Sequence, residues 1–189
     1  MISPYFVPRE AGTEALASLA RGGVRVRVMT NSLAATDEKS VHAGYVKRRE
    51  ALLRAGVQLF ELKPETTSTR SQSKDKDIGS GSSKAGLHAK TYAVDDREIF
   101  VGSFNFDPRS ARLNTEMGIV IESRALATRL ATVIDNAFPS SAYRLALGDD
   151  GQIRWSGSDG QVFDTDPGSS WWDRLVVRIG SWLPIEWLL

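Results

Sequence analysis

Residues 87–120 give the clearest indication of the fold and read LHAKTYAVDDREIFVGSFNFDPRSARLNTEMGIV. Residues 87–94 and 98–101 flank the polar turn Asp95-Asp96-Arg97. This pattern predicts a β-hairpin. Residues 115–121 predict a further strand, so the segment is expected to form part of a sheet.

Two pairs of polar side chains lie on this hairpin. Residues two apart on a strand share a face, so His88 and Lys90 point the same way, as do Ser103 and Asn105. If the strands pair, both sets converge on one spot. Glu116 on the following strand is then expected to reach the ring of His88.

These residue types fit attack on a phosphodiester. A neutral imidazole at His88 can act as a nucleophile, and the Lys90 cation can offset charge on the phosphoryl oxygens. Ser103 and Asn105 can donate to the remaining oxygens. A carboxylate at Glu116 would hold the histidine tautomer. Such a set needs no metal and no cofactor.

Two further residues complete the pattern. Gly102 permits close approach of a ligand or a neighbouring backbone, which makes it a candidate substrate-binding position. Asp95 lies five residues from His88 in the turn, where our physical interpretation is structural, holding the hairpin or a nearby cation.

Before this segment, the sequence predicts alternating strands and helices. This β-α-β-α-β succession predicts an α/β/α sandwich with a mixed, largely parallel sheet flanked by helices. The predicted strands are residues 1–7, 24–30 and 57–62, and the predicted helices are 9–21 and 40–55.

The remaining segments are a long polar stretch and a C-terminal region. Residues 64–86 are rich in Ser, Thr, Gly and Lys and predict a mobile loop. Two domains are expected, a catalytic domain over 1–140 and a C-terminal hairpin with a helix over 141–189. The elements predicted beyond residue 122 are a helix at 123–138, a hairpin at 143–147 and 152–155, and a Trp-rich amphipathic helix at 171–183.

Composition limits the classes of function. The chain of 189 residues has no cysteine and two histidines, which excludes disulfides, thiolate zinc sites and cysteine nucleophiles. Its net charge of +1 lacks the basic footprint of a nucleic-acid-binding protein, which argues against nucleic acid as a partner. The first ten residues lack a signal-peptide pattern, and no apolar run approaches the roughly 20 residues that cross a bilayer.

The spacing His88-x-Lys90-x4-Asp95-x6-Gly102-Ser103-x-Asn105 resembles the HKD signature of the phospholipase D superfamily. By that resemblance His88 forms a phosphohistidine intermediate or protonates the leaving group, and Asp95 counts with the catalytic residues. Glu116 falls where the family has its histidine-orienting acid.

The similarity extends over nearly the whole chain. The stretches SPYFVP, TNSLAATD, VHAGYVKRR, ELKP and PIEWLL resemble the C-terminal half of the bacterial cardiolipin synthase C family. This implies a phosphatidyltransferase that joins two phospholipids, with phosphatidylglycerol and phosphatidylethanolamine as expected substrates. It also implies a cytoplasmic protein held peripherally on the inner face of the bacterial membrane.

The chain carries one HKD motif, whereas two-step phosphoryl exchange needs a nucleophile and a general acid on opposite sides of phosphorus. We therefore expect a second HKD half, from a homodimer mate or a separate chain. Two alternatives stay open at this point. One is a homodimeric phosphodiesterase or nuclease of the same superfamily, and the other is a truncated, non-catalytic half-domain.

Three residues outside the motif are candidates for substrate binding. His42 and Tyr45 lie one turn apart on a predicted helix and are candidates to line an acceptor-lipid pocket, with a buried structural histidine as the alternative. Arg109 is a candidate to hold a lipid phosphate, with a surface ion pair as the alternative. The Trp-rich helix either binds a membrane interface or packs within the protein.

Overall fold

A computed structural model describes residues 1–64, 88–157 and 160–182 of the chain, so the predicted loop 64–86 lies almost wholly outside the described residues. The helices are α1 (Arg9–Arg21), α2 (Lys39–Val46), α3 (Arg49–Arg54), α4 (Pro108–Arg112), α5 (Arg124–Ser141) and α6 (Trp171–Trp182). The strands are β1 (Arg27–Asn31), β2 (Gln58–Leu62), β3 (Thr91–Val94), β4 (Glu98–Gly102), β5 (Gly118–Glu122), β6 (Ala142–Leu147), β7 (Ile153–Ser156) and β8 (Val162–Phe163).

The strands form two groups that one N-terminal residue joins. The orders are β1-β2-β6-β7-β8 and β3-β4-β5. Ile2 bridges Met29 of β1 in parallel and Thr91 of β3 in antiparallel fashion. Residues 1–7 thus take the position predicted for a strand, but they pair only through single bridges at Ile2 and Phe6.

The predicted mixed sheet is confirmed, but its predicted largely parallel character is wrong for the described strands. β1 and β2 are parallel, because α2 and α3 connect them as a crossover. Every other pair of named strands is antiparallel. Two of these antiparallel pairs, β3–β4 and β6–β7, are hairpins.

Helices cover both faces of the sheet, as an α/β/α sandwich requires. Successive strand residues contribute to opposite faces, so Val28 and Leu59 pack with residues of α1, α2 and α3. Met29 and Phe60 pack on the other face, where Leu130 of α5 contacts them. α6 packs on α2. In the described part of the chain, no helix has the length and apolar character that crossing a membrane requires.

Several predicted elements have different boundaries in the structure. The strand predicted at 115–121 is Gly118–Glu122, so Glu116 precedes it, and the helix predicted at 123–138 is Arg124–Ser141. The strand predicted at 24–30 begins only at Arg27, because Val24 follows the Gly22-Gly23 turn and is exposed. The helix predicted at 40–55 is two helices, α2 and α3. The chain turns between them, where the Arg48 amide donates to the Tyr45 carbonyl at 2.8 Å. The predicted C-terminal hairpin is present, and its first strand, β6, pairs with β2 in the same sheet.

A buried cation links the helical layer to the sheet and to the C-terminal segment. Arg49 Nη2 lies 2.8 Å from Glu61 Oε1 on β2 and 2.8 Å from Asp166 Oδ1. Its guanidinium also lies over the rings of Tyr45 and Trp155. Although burial works against the charged form, the two carboxylates raise the pKa of Arg49 above its usual range. The charge is therefore fixed in the core.

Removing this cation leaves two buried carboxylates without their partner. We expect Arg49→Met to lower the free energy of unfolding by about 3–5 kcal/mol, measured by urea denaturation. The matched control is Arg54→Met, whose i,i+4 pair with Glu50 is exposed and contributes less than about 0.5 kcal/mol. Equal effects of the two substitutions would contradict a structural role for Arg49.

Close pairing of β4 and β5 depends on two facing glycines. Gly102 pairs with Gly118, and the ring of Phe100 lies over this position. A Cβ on Gly102 would lie 2.4 Å from the Met117 carbonyl oxygen, and one on Gly118 would lie 2.2 Å from Phe100 Cε2. The Gly102 contact is with the backbone, so a side-chain rotation cannot relieve it.

Gly102→Ala is therefore expected to push β5 away from β4. We expect a loss of about 1–3 kcal/mol in the free energy of unfolding, the usual cost of overpacking. The control is Gly22→Ala, where the nearest atom to the new Cβ would be 3.3 Å away and negative φ is already adopted. The expectation fails if thermal melts place Gly102→Ala at or above the stability of Gly22→Ala.

Candidate active site

The predicted catalytic segments meet where β3 begins and β4 ends. His88 and Lys90 directly precede β3, and Ser103 directly follows β4. The Gly102 amide donates to the Lys90 carbonyl at 3.2 Å, which continues the hairpin pairing up to these residues. The backbone thus brings the two segments together at one end of the hairpin.

Ser103 holds the carboxylate of Glu116. The Ser103 hydroxyl donates to Glu116 Oε2, and the side-chain Nδ2 of Asn114 donates to Glu116 Oε1 at 3.1 Å. The Met117 amide donates back to Ser103 Oγ at 3.0 Å. The bond from Ser103 is the main cause that lowers the pKa of Glu116. The described hydrogen bonds of Glu116 go to these neighbours, and the predicted bond to His88 is not among them.

Lys90 is the cation of the site. Its Nζ donates to the His88 carbonyl at 3.0 Å. Partial burial lowers the pKa of Lys90, while the negative charges of Glu116, Asp107 and Asp37 act in the opposite direction. Lys90 therefore lies within electrostatic reach of three carboxylates.

Asn105 lies in the loop between β4 and α4. The backbone amide of Asn105 donates to Ser110 Oγ at 3.3 Å. Its side-chain Oδ1 is buried and has no hydrogen-bond partner among the described residues. Asp107, two residues on, caps α4 by accepting from the Ser110 amide at 2.8 Å, and burial raises its pKa. The Asp107 cap therefore fixes the loop.

The N-terminal segment supports the same loop. Ser3 is fully buried, and its Oγ accepts from the Phe106 amide at 2.9 Å. The Val7 amide donates to the Phe106 carbonyl at 2.7 Å. Reasoning from the motif alone missed Ser3 and Asp107. A signal for Ser3 was present in the stretch SPYFVP, whose serine is too polar for a plain buried strand.

Asp95 is not brought to this set. It lies with Asp96 in the turn between β3 and β4, at the end of the hairpin opposite to Ser103. Both residues have positive φ, 51° and 49°, and the Arg97 amide donates to the Val94 carbonyl at 3.0 Å. Positive φ at both central positions is the geometry of a type I′ turn. In this structure Asp95 shapes the hairpin.

Of the three predicted substrate-binding side chains outside the motif, two lie in the core and one is exposed. His42 and Tyr45 are buried in the core against Arg49, whose Nη2 is 2.8 Å from His42 Nε2. Burial lowers the pKa of His42 to about 4, so its ring is neutral at pH 7. Arg109 is exposed on α4. A substrate role for these residues stays a prediction. His42 is buried, as expected of the structural histidine that was the alternative.

An apolar groove of about 430 Å³ begins at Glu116 and follows the sheet. Its floor is the face of β3, β4 and β5 that carries Phe100, which stacks on Tyr92 with ring centroids 5.3 Å apart. The groove therefore places apolar surface directly beside the charged site. Its lining residues are Tyr92, Val94, Glu98, Phe100, Phe104, Glu116, Met117, Gly118 and Val120.

Sequence comparisons connect this geometry with known proteins. The family model described as "Cardiolipin synthase, PLD-like domain" matches residues 1–138. Cardiolipin synthase C of Escherichia coli (strain K12) is 48% identical over 199 residues, which cover 100% of this chain and 40% of that protein. Cardiolipin synthase A of Pseudomonas entomophila (strain L48) is 32% identical over 136 residues, covering 72% of this chain and 24% of that protein. The chain thus spans less than half the length of these relatives.

Solved structures share the fold. The phospholipase D family member Nuc from Salmonella typhimurium aligns with a TM-score of 0.50 at 18% identity, covering 72% of this chain and 74% of that chain. The phosphatidylserine synthase of Haemophilus influenzae Rd KW20 aligns with a TM-score of 0.51 at 20% identity, covering 76% of this chain and 33% of that one. With the family match over residues 1–138, the chain belongs to the phospholipase D-like domains of the cardiolipin synthase family.

Proposed function

We propose that this chain supplies one half of the active site of a phosphatidyltransferase that joins two phospholipids, as a cardiolipin synthase does. The proposal is supported mainly by the pairing of Gly102 with Lys90, which puts Lys90 and Ser103 at one end of the hairpin in a domain of this family, with Glu116 bound to Ser103. The apolar groove at Glu116 supports a lipid substrate, because acyl chains need apolar surface next to the phosphoryl site.

The proposed reaction has two displacement steps. A ring nitrogen of His88 attacks the phosphorus of the first phospholipid, and the bond from phosphorus to its alcohol headgroup breaks. This forms a phosphatidyl-histidine, and the departing alkoxide takes a proton from an acid on the other side of phosphorus. The hydroxyl of a second phospholipid then attacks the same phosphorus, loses its proton to that group, and releases His88.

The other residues stabilise charge in these steps. Lys90 offsets the negative charge on the phosphoryl oxygens, and the amide of Asn105 donates to one of them. Glu116 orients and balances the cationic imidazole once substrate has ordered the site, with Ser103 holding the carboxylate in place. Gly102 keeps the backbone close to the ligand. Arg109 is proposed to contact a lipid phosphate from α4.

The acid in this scheme must come from a second HKD half, because one histidine cannot occupy both faces of phosphorus. We propose that the second half is a dimer mate or a partner chain. Supporting this, Val101 and Ile119 form a cross-strand pair beside Gly102 and are 43% and 59% exposed. Such apolar surface next to the site fits a covered interface. The expected place of action is the inner face of the bacterial membrane, with phosphatidylglycerol and phosphatidylethanolamine as substrates.

Lipid transfer is tested with mixed micelles of phosphatidylglycerol and phosphatidylethanolamine, followed by lipid chromatography and mass spectrometry. We expect a product with two phosphatidyl groups, and we expect His88→Ala to lower its rate by at least about a thousandfold. The control is Arg21→Ala, which removes an exposed ion pair with Glu14. Nicked plasmid DNA without any new lipid would instead favour a phosphodiesterase, and neither product would favour a non-catalytic half-domain.

Light scattering on the same preparations tests the second half. We expect the active species to contain two HKD halves, because each supplies a histidine to one site. Full transfer activity from a strict monomer of this chain would overturn the requirement for a second half, while leaving the lipid chemistry intact.

The role of Ser103 is tested by a titration. Since its hydroxyl donates to Glu116, Ser103→Ala is expected to raise the pKa of Glu116 toward its usual value. The measurement is carboxyl ¹³C NMR of the labelled chain as a function of pH. Ser123→Ala, which removes only an acceptor for the Leu126 amide, serves as the control. An unchanged or lowered Glu116 pKa in Ser103→Ala would show that another group holds the carboxylate.

A further inference from the structure

α6 exposes a continuous apolar face. At about 3.6 residues per turn, the large apolar side chains of this face cover an arc of roughly 140° around the helix. Trp182 is 81% exposed and Trp171 is 67% exposed, so this apolar stripe faces solvent and does not belong to the core. Its members are Trp171, Trp172, Leu175, Val176, Ile179 and Trp182.

The opposite side of α6 already has its partner within the protein. Val177 is buried and packs with Ala43 of α2. Gly180 lies so close to α2 that an added Cβ would be 3.3 Å from the Ala43 Cβ. Asp173 forms an ion pair with Lys39 at the start of α2. These contacts fix the rotation of α6 about its axis, and the exposed stripe is the face left over.

The charges around the stripe are cationic. Lys39 is the main cause that lowers the pKa of Asp173 to about 2, so the single acid of α6 is neutralised by its partner. Arg174 and Arg178 follow one another along the helix at the border of the stripe. No carboxylate of the described residues lies within ion-pair distance of the Arg178 guanidinium. The face is therefore apolar and rich in Trp, with arginine along one side.

We propose that this face of α6 docks on an anionic phospholipid bilayer, with the helix lying in the plane of the interface. Trp concentrates at bilayer interfaces, and arginines beside an apolar stripe attract anionic headgroups. A helix of 12 residues reaches roughly 18 Å, less than the hydrocarbon thickness of about 30 Å, so it lies on the bilayer rather than across it. The choice of a bilayer as occupant rests on the proposed lipid substrate.

The apolar part of the proposal is tested by co-sedimentation of the full chain with vesicles of phosphatidylglycerol and phosphatidylcholine. The variant Trp172→Ser/Ile179→Ser removes two side chains from the middle of the stripe. We expect vesicle affinity to fall about tenfold or more, with little change in the thermal unfolding midpoint. Leu19→Ser on α1 is the matched control, since it removes an exposed apolar side chain elsewhere.

The charge is tested by Arg178→Glu, with Arg129→Glu on the exposed side of α5 as the control. We expect Arg178→Glu to weaken binding to the anionic vesicles severalfold and to leave the weak binding to pure phosphatidylcholine unchanged. Wild-type affinity in the Trp172→Ser/Ile179→Ser variant would overturn the proposal. So would a change of oligomeric state in that variant, because it would make the stripe a protein interface.

The failure of this inference is separable from failure of the proposed function. Vesicle binding is measured with the His88→Ala chain as well, in which no turnover is expected, and lipid transfer is measured in micelles, which offer no planar surface. Vesicle binding without lipid transfer would contradict the proposed function and support the docking face. Lipid transfer in micelles without vesicle binding would support the proposed function and contradict the docking face.

Discussion

The position of the site in the domain depends on the backbone of residues 1–3. On one side, the Met29 amide donates to the Met1 carbonyl and the Ser3 amide to the Met29 carbonyl, each at 3.0 Å. On the other side, the Ile2 amide and carbonyl exchange bonds of 2.8 and 3.0 Å with Thr91. A strand paired on both edges satisfies all its polar groups, so it can lie at the centre of the sheet. Residues 1–3 thus join the strands that carry the motif to the rest of the domain, and a second bridge pairs Phe6 with Phe106.

Charged groups serve two different purposes in the molecule. Around Arg49 they are buried, and the carboxylates of Glu61 and Asp166 fix one guanidinium in the core. Around Lys90 they are partly open to solvent, and among the described residues no donor reaches the buried Asn105 oxygen. Buried ion pairs hold the packing of helices on the sheet, whereas the cluster around Lys90 is partly exposed. Burial separates structure from chemistry here.

The motif residues lie at opposite ends of the hairpin. Register between β3 and β4 places Gly102 beside Lys90, and a type I′ turn places Asp95 at the far end. A short hairpin cannot bring its turn to its open end. The apolar groove and the exposed Val101–Ile119 pair lie on opposite faces of the same strands, because alternate residues of a strand point to opposite sides. In the function that we propose, the groove face takes the acyl chains and the opposite face takes the second HKD half.

The HKD resemblance predicted the family, and strand and turn patterns predicted the hairpin, the mixed α/β architecture and the two segments that meet at the open end of the hairpin. These follow from local spacing, since period two on a strand and turn residues at fixed positions do not depend on distant contacts. The folded structure was needed to establish the strand order, the burial of His42 and Tyr45 against Arg49, and the support of Phe106 by Ser3. Helical spacing is the same for a pocket wall and for a core face. What covers that face is set by residues far away in the chain, and only the folded protein brings them there.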